Sequence, residues 1–112
     1  MHDDLTDKHC VPCEGGTMPL PPNAVAEYIL KVPAWKASDD SLKISREFTF
    51  ADFLAAMDFV NAVAKIAQAE GHHPDIYIFY NKVKLELSTH AIGGLSENDF
   101  IVAAKVDLVP RK

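Results

Sequence analysis

Apolar positions along this chain recur at helical spacing in some stretches and alternate at strand spacing in others, and the switches mark out its elements. A first helix is predicted from Pro21-Pro22-Asn23, because proline suits a first helical turn. From there Val25, Tyr28, Ile29 and Val32 fall on one stripe, and Pro33 ends it. Trp35-Lys36-Ala37 and the alternating run Leu42 to Phe48 flank the polar turn Ser38-Asp39-Asp40-Ser41, which reads as a β-hairpin. The clearest helix follows: Phe53, Met57, Val60, Ala64 and Ala67 step by 4, 3, 4 and 3, with Asp58, Asn61, Lys65 and Gln68 on another face. Thr49 with Asp52 three positions on suits an N-cap, and Gly71 supplies the C-terminal stop. Asp75 to Tyr80 and Val83 to Thr89 make a second hairpin around Asn81-Lys82. A last helix starts at Ser96, with Phe100, Ile101, Ala104 and Leu108 on its apolar side.

The order α-β-β-α-β-β-α predicts an α+β fold, a four-stranded antiparallel sheet with three helices packed on one face. Residues 1–20 show no periodicity and read as an N-terminal arm carrying a CxxC, and 21–112 as the folded domain. At 112 residues the chain is one domain. Its charge of −5, from 11 Lys and Arg against 16 Asp and Glu, argues against a nucleic-acid partner, which needs a basic surface. The longest apolar runs are five residues, such as Phe53 to Met57, against roughly 20 for a membrane span. The acidic first residues do not resemble a secretory signal, and two cysteines cannot staple a secreted scaffold. A soluble, cytoplasmic protein is expected.

The candidate chemistry lies in the histidines. His72 and His73 fall between helix and strand, and His90 just after the last strand. If Asn81-Lys82 is a two-residue loop, paired positions sum to 163: Tyr80 faces Val83, Ile78 faces Leu85, Ile76 faces Leu87, and His73 comes opposite His90. Neighbouring side chains on an extended segment point to opposite faces, so the imidazoles need not meet at one point. That disfavours a three-histidine zinc site and suits imidazoles placed around a flat substrate, each near a different atom. Imidazole titrates near neutrality, so the chemistry on offer is general acid–base catalysis. The competing reading is that two histidines before a proline simply end a helix.

Gly71-His72-His73-Pro74, five residues, Tyr80, nine residues, His90, eight residues and Asp99 together resemble the signature of the pterin-4a-carbinolamine dehydratases. Ser88-Thr89-His90, Gly94-Leu95-Ser96 and the run Phe48 to Phe53 are similar to that family too, and the likeness runs from about residue 20 to 108. Cys10-Val11-Pro12-Cys13-Glu14-Gly15-Gly16 resembles an N-terminal segment of one branch. The resemblance implies removal of water from 4a-hydroxytetrahydropterin to give quinonoid dihydropterin, in tetrahydropterin recycling. It implies His72, His73 and His90 as the catalytic residues, with Gln68, Ser88 and Asp99 at the substrate; Trp35 is a further substrate-binding candidate on its aromatic character alone. It implies no metal and no organic cofactor, and a homodimer or homotetramer. The alternative is a non-catalytic binding, assembly or dimerisation protein on the same scaffold, which some relatives resemble. Gln68 departs from the family pattern, which usually has a charged residue, commonly glutamate, four positions before the first histidine. From one helical turn away it can orient His72 but brings no charge.

Each remaining residue has a plainer reading as well. Ser96-Glu97-Asn98-Asp99 is a capping box, which by itself explains Asp99, with holding the loop after His90 as the alternative that adds a second role. Trp35 reads as core packing or as a wall of a pterin pocket. Tyr80 falls on the predicted core face and reads as packing. Cys10 and Cys13 read as a packed turn, with zinc shared across subunits, or a metal module completed by His2 or His9, as the alternatives. Tyr77 and Phe79 fall on the face opposite the core, so that face or an exposed strand edge is expected to meet another subunit.

Overall fold

The computed structural model describes residues 5–11 and 17–110. Helix α1 spans Pro22–Ile29, strand β1 Lys36–Ala37, β2 Ile44–Thr49, helix α2 Phe53–Glu70, β3 Asp75–Phe79, β4 Lys82–Leu87 and helix α3 Glu97–Asp107. The strands form one antiparallel sheet in the order β1-β2-β4-β3. The expected succession of elements and the α+β class are therefore present. Among the described residues, no helix is long and apolar enough to cross a membrane.

Helix α2 starts later than Thr49 would allow. The extended chain continues past β2, where the Phe50 N–H donates to the Asn81 carbonyl at 2.8 Å. Asp52 becomes the N-cap, its carboxylate accepting from the Ala55 N–H at 2.9 Å. The buried side of α2 is also turned from the predicted stripe. Ala56, Phe59, Val63 and Ala67 are buried, whereas Phe53 and Ala64 are exposed. Apolar residues run most of the way round this helix, and the aromatic contacts of Phe59 with Phe48 (4.5 Å between centroids) and Phe50 (5.1 Å) select the face that meets the sheet.

The second hairpin turns one residue earlier than predicted, which shifts every cross-strand partner by two. Ile76 pairs with Leu85 and Ile78 with Val83, so paired positions sum to 161 and the loop is Tyr80-Asn81. A shift of two preserves which side chains share a face, so the alternation could not distinguish the two registers. Asn81 decides between them. Its carbonyl accepts from Phe50, and its side-chain amide donates to the Phe50 carbonyl at 2.9 Å, which draws it into the loop. Tyr80, expected in the core, adopts a positive φ of 55° at the tip and is exposed.

Helix α3 is buried nearly all round, from Phe100 through Ala104 and at Val106, because α1, α2 and the N-terminal segment all pack on it. Leu108, expected on its apolar side, caps the helix and is exposed. Of the segment 1–20 expected as an arm, residues 5–11 lie along α3 with Leu5 fully buried in the core.

Candidate active site

Gly71 ends α2 in the left-handed conformation, φ 66°, which L-residues adopt only at a cost. The chain leaves the helix there, with the His72 N–H still bonded to the Ala67 carbonyl at 3.2 Å. This turn sets down His72, His73 and Pro74 between α2 and β3. It also breaks the helical spacing that would have brought Gln68 to His72. The Gln68 Oε1 instead lies 3.3 Å from His73 Nε2.

His72 is held by a different partner. Its Nε2 lies 2.6 Å from Asp99 Oδ1, and the Asp99 side chain is fully buried. The other Asp99 oxygen accepts from the Ser96 N–H at 3.0 Å and from the Thr89 hydroxyl at 2.8 Å. One carboxylate thus closes the capping box of α3, ties down the strand end at Thr89 and orients His72. Acceptance by the carboxylate places the hydrogen on Nε2 and leaves Nδ1 to exchange protons. No buried side-chain nitrogen or oxygen among the described residues lacks a partner, so Nδ1, bonded by no described group, opens to solvent.

Beyond β4 the chain makes a short excursion. Thr89 and Gly94 bond back to back, Thr89 N–H to Gly94 carbonyl at 2.7 Å, and His90–Ile92 form a 3-10 turn between them. Glycine at 94 is required by crowding, since a Cβ there would stand 2.7 Å from Pro19 Cβ. The exposed His90 is presented at the start of that turn.

These pieces surround a cavity of about 660 Å³, lined by His72, His73, His90 and Ser88, and by Cys10 and Val11 of the N-terminal segment. That volume lies in the range of small-molecule sites. The three histidines therefore share one cavity. The cross-strand pairing that would have set His73 opposite His90 is absent, because β3 begins at Asp75, β4 ends at Leu87, and the register differs. Asp99 stands behind His72, and Gln68 reaches the site through His73. Trp35 does not line the cavity. It is buried in the core, its indole N–H donating to Asp107 Oδ1 at 2.8 Å, beside the Arg46 guanidinium at 2.7 Å from the same oxygen.

Sequence reasoning missed Glu70 and Asn98, which also line the cavity. Glu70 carried a signal: an acid in the last turn of a helix opposes the helix dipole and calls for a compensating partner. Its carboxylate bonds Lys105 Nζ and the Cys10 N–H (2.8 Å), with His9 Nδ1 at 3.3 Å. Burial works to raise this carboxyl, but Lys105, the Cys10 N–H and His9 outweigh it and hold the group at about 2. Burial, followed by the charge of Glu70, pushes the Cys10 thiol up to about 12. Cys13 and His2 lie outside the described residues. Among those described, no three His, Cys, Asp or Glu side chains are grouped to hold a metal ion.

Comparison with known proteins fits this arrangement. The family model for pterin 4 alpha carbinolamine dehydratase matches residues 18–109. A protein of Nitrosomonas eutropha is 51% identical over 108 residues, covering 95% of this chain and 93% of its own. One from Halorhodospira halophila is 48% identical over 103 residues, covering 92% and 94%. Both bear the name "Putative pterin-4-alpha-carbinolamine dehydratase". Among solved structures, a transcriptional coactivator/pterin dehydratase from Brucella melitensis superposes with a TM-score of 0.75 at 31% identity, over 80% of this chain and 95% of its own. A pterin dehydratase-like protein identified as a RuBisCO assembly factor shares the fold, with a TM-score of 0.57 at 23% identity, over 66% and 86%.

Proposed function

The chain belongs to the pterin 4 alpha carbinolamine dehydratase family, and from that premise we propose that it removes water from a 4a-hydroxytetrahydropterin, giving the quinonoid dihydropterin in tetrahydropterin recycling. The observation that carries this reading is three imidazoles around one cavity, one of them fixed by a fully buried carboxylate. The reaction needs two proton movements. N5 gives up its proton to a neutral imidazole, its electron pair forms the new C–N double bond, and the C4a–O bond breaks. The hydroxyl leaves as water with a proton from an imidazolium. The adjacent amine activates the leaving group, so the chain's own side chains suffice. His72, whose Nδ1 is bonded by no described group, and His90 exchange the protons, one as acid and the other as base. His73, braced by Gln68, positions the ring, and Ser88 lines the same cavity.

The test is to generate the 4a-hydroxy substrate and follow its dehydration with wild type and with His72→Ala, His73→Ala and His90→Ala. Loss of a positioned acid or base lowers the rate by about 10² to 10⁴-fold. Wild-type rates in all three variants contradict the assignment, and an absence of acceleration by wild type above buffer favours a binding or assembly role on the same scaffold.

The partner side of the proposal is a homo-oligomer. β3 is an edge strand whose Ile76, Tyr77, Ile78 and Phe79, with Tyr80 at the turn, are 36 to 68% exposed. An unpaired apolar edge is a template for another strand, and a second copy of this chain supplies one. Sedimentation at micromolar concentration is expected to give a dimer or tetramer. A monomer there removes the oligomer.

A further inference from the structure

The proton chemistry uses one side of the cavity, while the N-terminal segment provides another. Residues 10 and 11 are seated by polar side chains from two helices. Glu70, at the end of α2, accepts from the Cys10 N–H at 2.8 Å. Asn98, buried in the first turn of α3, accepts from the Val11 N–H at 3.0 Å and donates to the Val11 carbonyl at 2.6 Å. Glu70 is itself locked by Lys105, and the residues just upstream are tied down by Leu5 in the core and by Lys8 on Glu97 at 2.8 Å. The Cys10 N–H and both backbone groups of Val11 are therefore satisfied by dedicated partners. Its Val11 side chain is nonetheless left 65% exposed at the cavity. A firmly seated apolar group beside polar imidazoles is a surface that a flat ring covers on binding.

We infer that Val11 is an apolar wall of the substrate site, packing against the pterin ring and setting its affinity, with Glu70 and Asn98 as positioning residues that act through it. The inference rests on the pterin reading of the cavity. Proton transfer stays with the histidines, so the wall affects KM and binding while kcat is largely spared.

The experiment uses the full chain with Val11→Ala, Val11→Leu and Asn98→Ala. Two measurements are made: KM and kcat for dehydration, and Kd for a stable oxidised pterin by fluorescence titration. Trimming two methyl groups from a contact of this kind is expected to raise KM and Kd roughly three- to tenfold in Val11→Ala, with kcat within about twofold. Val11→Leu keeps the apolar bulk and stays near wild type, and Asn98→Ala, which unseats the segment, matches or exceeds Val11→Ala. Unchanged Kd and KM in Val11→Ala overturn the inference, as does a change confined to kcat. Because the Val11 side chain is exposed, that variant folds and decides the matter even if Asn98→Ala does not fold. A wild type that binds pterin without speeding dehydration sinks the dehydratase reading and leaves the Kd series to judge the wall. A wild type that binds no pterin sinks both.

Discussion

Replacing Asp99 by asparagine separates the two roles of that side chain. Asparagine keeps the shape and one carbonyl oxygen, which can still accept from Ser96 N–H and the Thr89 hydroxyl. Both bonds lose their charge assistance, a change of about 1 kcal/mol each, offset in part by the easier burial of a neutral group. A net loss of about 1–2 kcal/mol lowers the melting temperature of a domain this size by roughly 5–10 °C, which the fold survives. The larger effect falls on His72. The new amide donates where the carboxylate accepted, so Nε2 becomes an acceptor and the ring hydrogen moves to Nδ1. The solvent-open nitrogen then holds the wrong proton for its task, and kcat is expected to fall by about 10² to 10⁴-fold. Ser96→Ala is the control, since it removes a capping hydroxyl at about 1 kcal/mol and leaves the bond to His72. The assay is a thermal melt beside steady-state dehydration kinetics for both variants. Asp99→Asn that melts early yet turns over within about threefold of wild type refutes the orienting role and leaves only a helix cap.

Three further outcomes follow from the site. Gln68→Glu puts a charge 3.3 Å from His73; it is expected to leave the melt unchanged and raise kcat/KM severalfold, and unchanged or lower activity means the amide already suffices. The Glu70 carboxyl is held below its ordinary value of 4.5, at about 2, so its stabilising effect is fully present above about pH 4.5 and is lost as pH falls through about 2. The gap in urea stability between wild type and Glu70→Gln is therefore expected to close over that interval, and a gap that stays constant contradicts the Lys105 pairing. With its thiol pushed up to about 12, Cys10 in a Cys13→Ser chain is expected to react with iodoacetamide at pH 8.5 at least about tenfold more slowly than free cysteine. A rate matching free cysteine shows that the segment is not seated.

Local signals carried most of the fold. Proline at the head of α1, glycine at the end of α2 and alternation in the strands each act over a few residues, and each reads directly from the chain. The register of β3 on β4 was not legible, because it is set by Asn81 bonding to Phe50, 31 residues away. The buried face of α2 was hidden for a related reason: several stripes are apolar, and tertiary aromatic contacts choose among them. At the site, the hold of Asp99 falls on Thr89 rather than on the loop after His90, while the candidacy of His72, His73 and His90 was plain, and so was the capping role of Asp99. Its pairing with His72 was not, since it depends on where Gly71 turns the chain. The wall at Cys10 and Val11 was invisible because nothing in an aperiodic arm indicates where it docks.

The most direct measurement is the decay rate of freshly formed 4a-hydroxytetrahydropterin with and without the protein at neutral pH. The account predicts a protein-dependent acceleration of about 10²-fold or more, abolished in His72→Ala/His90→Ala. Decay at the buffer rate in the presence of folded wild type contradicts it.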